Sequence, residues 1–392
     1  ANPEAYGRSE YGRDEKVMVE FVSANPTGPM HMGNARGGAL GDCLAAVLDK
    51  AGYNAWREFY VNDAGNQIEK FGCSLEARYL QIFKGDEIEF PEDGYQGEDI
   101  KDLAKEYADL NGDSLVNVSA EERKKALVDY ALPKNIKKMQ ADMEKYKIFY
   151  DKWFFESELH KSGAVKAVVD LLTKKGLTYE KDGAVWYKNK EVLTQKLLKE
   201  GKSQKYIDNL ELKDDVLIRQ NGNPTYFTAD IAYHKNKFDR GFTTLIDVWG
   251  ADHHGHVMRM KGAMDAIGYD GDKLNVVLMQ LVKLVKDGEL VRMSKRTGKA
   301  IQLGDLLDEV PVDSARFLFN TKEANTQMDF DLDLAVSQDN QNPVYYVQYA
   351  HARICSIFKS LAKEGISPRE CTDAELALLT APEEKELINH LA

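Results

Sequence analysis

Cysteine is scarce in this chain: four in 392 residues (Cys43, Cys73, Cys355 and Cys371), all far apart and none in a C-x-x-C pair. Such spacing excludes a zinc ribbon and a disulfide framework, and it suits a reducing cytoplasm. Long apolar runs are missing too. No stretch approaches the roughly 18 apolar residues that span a bilayer, so no membrane is expected among the partners. The opening segment, ANPEAYGRSEYGRDEK, is polar and lacks the apolar region of a secretory signal. An excess of cations is also lacking, with 52 Lys and Arg against 64 Asp and Glu for a net charge of -12. Composition alone therefore points to a small-molecule enzyme, and a polyanionic partner would need a local basic face. Internal repeats and low-complexity tracts are absent.

What is present is an ordinary globular mixture, 43% hydrophobic and 30% charged, long enough for two or three domains. Val17 to Val22 is apolar except for Glu20 and reads as a strand buried on both faces, as in parallel sheets. A Pro/Gly loop follows. Leu40, Cys43, Leu44, Val47 and Leu48 then recur at helical spacing, with Gly52 as a stop and Asn54 to Val61 as a second strand. This β-loop-α-β unit predicts an α/β fold with a doubly wound parallel sheet. Mixed-charge helical patterns from about Ser74 to Lys199 read as an insertion splitting that sheet. The sheet is expected to resume with Val216 to Arg219, a helix Thr228 to Phe238, a strand Thr244 to Trp249 and a helix from His254. One strand is predicted from Asn275 to Val285, ending in the turn Asp287-Gly288. Helices follow Ile301, and Pro343 opens a Tyr-rich helix reaching about Lys363. The expected division is 1–73 and 206–300 for the two halves of the sheet domain, 74–205 for the insertion, 301–341 for a helical linker and 342–392 for the start of a helical domain.

Two segments carry the chemistry. His31-Met32-Gly33-Asn34 sits where a strand gives way to a helix, whose N-terminus offers free N–H groups and a positive dipole to a phosphate. A Gly there lets a nucleotide approach the backbone. Alone this match is weak, and a loop His beside a turn Gly is the commoner case. Arg292-Met293-Ser294-Lys295-Arg296-Thr297-Gly298, directly after the predicted hairpin, brings three cations to one loop. It suits a leaving polyphosphate, although an isolated basic heptamer is more often a solvated turn.

In this order and context the pair resembles the HIGH and KMSKS signatures of class I aminoacyl-tRNA synthetases. Glu20 to Arg36 (EFVSANPTGPMHMGNAR), Tyr60-Val-Asn-Asp-Ala-Gly-Asn66, Thr225-Tyr-Phe-Thr-Ala-Asp230 and Trp249-Gly-Ala-Asp-His-His-Gly-His256 are similar to blocks of the bacterial arginyl-tRNA synthetase family. The resemblance runs from about Arg13 to Ile357. It implies a Rossmann-type catalytic domain, activation of L-arginine by ATP with release of pyrophosphate, and transfer to the 2′-hydroxyl of tRNA(Arg). It places Tyr226 and Asp230 at the arginine side chain, with Glu20, Ser23, Asn25 and His254 also lining the amino acid pocket. His31, Gly33, Asn34, Asp252, His253, His256, Met293 and Lys295 are implied at ATP, with His31, Asn34, Arg292, Ser294 and Lys295 in catalysis. Arg353, Tyr345 and Tyr349 are implied at tRNA. The family's second HIGH histidine is here Asn34, and Arg292 and Arg296 replace the first Lys and last Ser of KMSKS. Asn still donates a hydrogen bond and Arg keeps a cation, so activity is expected.

Residue chemistry agrees in part. A guanidinium is best read by carboxylates in fork geometry, which Glu20 and Asp230 could supply. Such a pocket could reject lysine without an editing domain. Asp252-His253-His254-Gly255-His256 tempts a metal reading, but on a helix His253 and His256 share a face that His254 does not, so no protein-held metal is expected. Mg2+ should arrive with ATP. The resemblance also implies that tRNA must bind before arginine is activated. It implies further domains before Ala1 and beyond Ala392, so weak tRNA binding is expected of this chain, as is a monomer. Rival readings are a related nucleotidylyl transferase for another substrate, a metal phosphoesterase of the DHH type, and a non-catalytic tRNA-binding fragment.

Overall fold

The computed structural model describes residues 5–291 and 301–391. They form two compact units, Ala1–Val336 and Ser337–Ala392.

The first unit is built on a five-stranded sheet of β1 (Lys16–Glu20), β2 (Asn54–Val61), β3 (Lys152–Phe155), β7 (Thr244–Gly250) and β8 (Leu274–Met279). Its spatial order is β3-β2-β1-β7-β8 and every pairing is parallel. Successive residues of β1 point to opposite faces. Val19 joins a core with α1 (Met32–Lys50), while Met18 joins the opposite core under α9 (Tyr226–Asp239) and α10 (His254–Ile267). Both faces are covered, and for that reason β1 reads as an apolar run rather than an alternation. Helix α1 lies unusually close to β1. A Cβ on Gly41 would sit 2.2 Å from Phe21 Cγ, so only glycine permits that contact.

Helices α2 (Asn66–Lys84), α3 (Glu98–Asn111) and α4 (Ala120–Lys145) form a separate core around Phe71, Tyr79, Ile100 and Leu127. After β3 come the short helices α5 (Glu156–Lys161) and α6 (Ala164–Lys174), then strands β4 (Thr178–Lys181) and β5 (Ala184–Tyr187), helices α7 (Asn189–Lys199) and α8 (Gln204–Asn209), and β6 (Asp215–Ile218). A third sheet combines β9 (Val282–Lys286), β10 (Glu289–Val291) and β11 (Met328–Asp331), with α11 (Leu303–Glu309), α12 (Val312–Phe319) and α13 (Leu332–Val336) alongside in the α1-side core.

Three sequence expectations change. The edge strand β3 belongs to the main sheet although it lies inside the stretch read as insertion. Strand β6 does not rejoin that sheet but pairs antiparallel with β5 in a small sheet of its own. The single strand expected over Asn275 to Val285 is two, broken at Gln280-Leu281, and they serve different sheets. In each case apolar content marked a strand, and long-range pairing chose its partner. The Asp287-Gly288 turn does close the β9–β10 hairpin, with both residues at positive φ.

The second unit opens with α14 (Pro343–Lys363), where Asn342 caps the helix by accepting from Val344 N at 3.1 Å and Pro343 occupies its first turn. Tyr345 and Tyr349 stack at 6.4 Å, with the Arg353 guanidinium 5.7 Å over Tyr349. Among the described residues no helix is long and apolar enough to cross a membrane.

Candidate active site

Strand β1 lies between β2, which follows it through α1, and β7, which joins much later in the chain. Such a reversal of strand order leaves a crevice beyond the carboxyl ends of the strands. A cavity of about 820 Å³ opens there. Glu20, Ser23, Asn25, Tyr226, Asp230, Asp252, His253 and His256, all singled out in the sequence, line it.

The end of β1 is locally strained. Val22 and Ser23 have φ of 72° and 42°, in the left-handed region that a β-branched residue rarely enters. The turn brings the Ser23 hydroxyl onto Glu20, to which it donates at 2.7 Å, while the Tyr60 backbone N–H donates to the same hydroxyl at 3.2 Å. Tyr226 and Asp230 stand one turn apart at the start of α9, so both face the cavity. His256 Nε2 lies 2.9 Å from Asp230 Oδ2. The ring of His256 is held in turn by Trp249 at 5.4 Å and Phe227 at 5.7 Å.

His254 is not brought to this cavity. It is the exposed first residue of α10, and one helical step turns it about 100° from its neighbours. It stands next to His253 and Gly255, which do line the cavity.

Sequence motifs assign no role to several residues that line the cavity. Glu156, from the stretch read as insertion, is buried and accepts from Tyr60 Oη at 2.8 Å, with His160 Nε2 at 3.2 Å. Burial raises its pKa against the pull of those two bonds. Arg259 pairs with Asp215 and lies over the Phe227 ring at 4.7 Å. Burial raises the Asp215 carboxyl while Arg259 opposes the shift. An adjoining cavity of about 880 Å³ shares Glu156 and Tyr226 and is lined further by Arg219, Asn221, Asn223 and Lys161. Only a position in the folded chain distinguishes these polar residues from others.

His31, Gly33 and Asn34 form the N-terminus of α1. His31 is the N-cap; its Nδ1 accepts from Gly33 N at 3.3 Å, and Asn34 Oδ1 accepts from His31 N at 2.9 Å. Burial lowers the His31 pKa, favouring the neutral ring. The first turn of α1 holds no acidic residue, which leaves its dipole open to an anion. Arg292, Met293, Ser294, Lys295 and Arg296 lie outside the described residues. Their carboxyl-side flank does reach the first motif, since His31 bridges to Gln302 and Leu303 N donates to Met30 O at 2.9 Å. Segments farther along the chain on both sides of them are tied to α1 as well. The fully buried guanidinium of Arg36 donates to the carbonyls of Gln280 (2.9 Å), Thr326 (2.9 Å) and Glu323 (2.8 Å).

Comparison with known proteins adds independent findings. Residues 3–355 match the family described as tRNA synthetases class I (R), catalytic domain, and residues 347–392 match the DALR anticodon binding domain. The chain is 58% identical over 391 residues to an arginine--tRNA ligase of Ruminiclostridium cellulolyticum, covering 99% of this chain and 66% of that protein. A counterpart in Caldanaerobacter subterraneus is also 58% identical, over 388 residues, with the same coverage. The chain thus spans 66% of the length of these curated relatives. Among solved structures, a candidate arginyl-tRNA synthetase from Campylobacter jejuni superposes with a TM-score of 0.79 at 37% identity, covering 92% of this chain and 75% of that one.

Proposed function

The chain belongs to the class I (R) tRNA synthetases, and from that premise we propose that it activates L-arginine with ATP and transfers it to tRNA(Arg). The observation that carries this reading is the carboxylate-lined cavity beyond β1 and β7, where Asp230 is steadied by His256 beside Tyr226 and Glu20. A guanidinium has five donors in a planar fork and demands such acceptors.

In this reading the arginine carboxylate attacks the α-phosphorus of ATP in line and pyrophosphate departs. No protein nucleophile is needed, and positioning with charge stabilisation supplies the rate. The N-terminus of α1, with His31, Gly33 and Asn34, receives the phosphates. Arg292, Ser294 and Lys295 stabilise the pyrophosphate as it leaves, and Met293 serves in ATP binding. Asp252, His253 and His256 line the junction between nucleotide and amino acid, with Ser23 and Asn25 on the arginine side. Mg2+ fits as a passenger of the nucleotide. The first turn of α1 lacks a carboxylate to hold it, and that ion keeps much of its water shell and binds chiefly through phosphate oxygens. Arg353, Tyr345 and Tyr349 contact tRNA. The enzyme acts as a cytoplasmic monomer.

The test is ATP–pyrophosphate exchange by the full-length protein with tRNA present, over a panel of amino acids. Exchange with arginine alone, abolished by Asp230→Ala and by His31→Ala, is the expected result. Exchange with another amino acid, or manganese-dependent phosphodiester cleavage in place of exchange, would overturn the reading.

A further inference from the structure

Three carboxylates lie side by side in the middle of the main sheet. Glu20 on β1 is in register with Glu58 on β2 and with Asp247 on β7, all on the face covered by α9. All three are buried: Glu20 is 7% exposed, Glu58 and Asp247 0%. Neighbouring strands stand only about 4.8 Å apart. Like charges so close and so dry cannot all ionise unless cations meet them.

Helix α9 and its C-cap supply basic groups at intervals of three residues. His234 Nε2 lies 2.7 Å from Asp247 Oδ2, and Arg240 grips both oxygens of Glu58. Between them the Lys237 ammonium donates to Asp247 Oδ1 at 2.9 Å and to Glu20 Oε2. Three residues of helix rise about 4.5 Å, nearly the strand spacing, so the basic row steps across the acidic one. Two further donors meet Glu58: Tyr233 Oη at 2.9 Å from Oε1, with its ring 4.5 Å from the Lys237 ammonium, and Trp56 Nε1 at 3.0 Å from Oε2.

Lys237 is itself fully buried. It does not line the cavity, whereas Glu20 does, with Oε1 bonded to Ser23 and Oε2 to Lys237. We propose that Lys237 is a positioning residue for amino acid specificity, supplying the buried positive charge opposite Glu20 and aiming its carboxyl group at the cavity so that it reads a cationic side chain. The inference rests on the arginine reading above. Burial pushes the Glu20 pKa up and Lys237 opposes the shift without cancelling it, so this carboxyl depends on its buried cation more than an exposed one would. Without Lys237, Glu20 and Asp247 would share a proton, and a neutral Glu20 has little preference for a guanidinium over an uncharged isostere. The same helix carries Tyr226 and Asp230, so the basic row also seats those two residues on the sheet.

The experiment is calorimetric binding of arginine and of citrulline, its neutral isostere, to the full-length protein. Lys237→Met should weaken arginine at least tenfold and leave citrulline nearly unchanged, and Lys237→Arg should restore the preference. Glu20→Gln should reproduce the loss, with Lys237→Met adding nothing further to it. An intact arginine preference in Lys237→Met, or losses that add in the double variant, would overturn the proposal. Should Lys237→Met fail to fold, Lys237→Met/Asp247→Asn removes one charge of each sign, and a wild-type preference there would overturn it equally. If the wild-type protein shows no preference for arginine, the reading beneath falls and takes this inference with it.

Discussion

The Nε2 atom of His256 lies 2.9 Å from Oδ2 of Asp230, joining the start of α10 to the start of α9 across the mouth of the cavity. Sequence motifs alone assign these two residues to different substrates, ATP and arginine. A hydrogen bond to a charged group contributes about 1.5–3 kcal/mol, equivalent to roughly ten- to a hundredfold in affinity. His256→Ala should therefore raise the arginine KM by at least about tenfold while the ATP KM holds. Steady-state kinetics with each substrate varied in turn would check this, and a rise confined to ATP would return His256 to the nucleotide.

Arg36 ties the helix of the first motif to the segments on either side of the second. Removing it would leave three backbone carbonyls without their charged donor. Arg36→Met should cost on the order of 3 kcal/mol in urea unfolding. Arg36→Lys should recover only part of that, because a point charge cannot span three acceptors as a planar fork does. An unchanged unfolding midpoint would remove Arg36 from the framework.

At Gly41 two effects oppose each other. Alanine gains about 1 kcal/mol of helix propensity over glycine. Its Cβ, however, would stand 2.2 Å from Cγ and 2.4 Å from Cβ of the buried Phe21, atoms too near the backbone to swing away. Overpacking of this kind costs about 1–3 kcal/mol. Gly41→Ala should lower the melting temperature, and calorimetry would detect a rise instead.

Asp247 makes folding sensitive to acid. Burial alone would raise its carboxyl, but Lys237 and His234 outweigh that and pull it from 3.8 to about 2. A folded-state pKa below the unfolded one stabilises the protein above about pH 4, and that stability disappears as pH falls from about 4 through 2. Glu20 is raised by burial and titrates with the opposite sign. The contribution of Asp247 is therefore best isolated by comparing wild type with Asp247→Asn in urea titrations across that range. Parallel stability–pH curves for the two proteins would contradict it.

Much of the fold is legible in the amino-acid sequence, because a strand buried on both faces leaves a continuous apolar run and an amphipathic helix leaves a 3.6-residue period. β1, α1, β2, α9 and β7 all show themselves in that way. Lys152–Phe155 escapes because four residues beside a charged helical stretch carry too little pattern to mark a sheet edge. Leu274–Lys286 looks like one strand because apolar character does not reveal a change of sheet at Gln280-Leu281. Site residues follow the same division. Glu20, Ser23, Asn25, Tyr226 and Asp230 stand out in local motifs and meet in one cavity. Glu156 gains its place only when β3 is seated beside β2, and Lys237 is one more lysine on a helix until the carboxylates opposite it are known.

The amino acid order by itself determined most of the elements, the caps of α1 and α14, the Asp287-Gly288 turn and the motifs that identify the family, all of which act within a few residues along the chain. The tertiary structure alone decided which charges neutralise one another and which remain to face a substrate. Those pairings join residues far apart in the chain through strand order and register, and the energy of a buried charge depends on the groups within a few ångströms of it, wherever along the chain they originate.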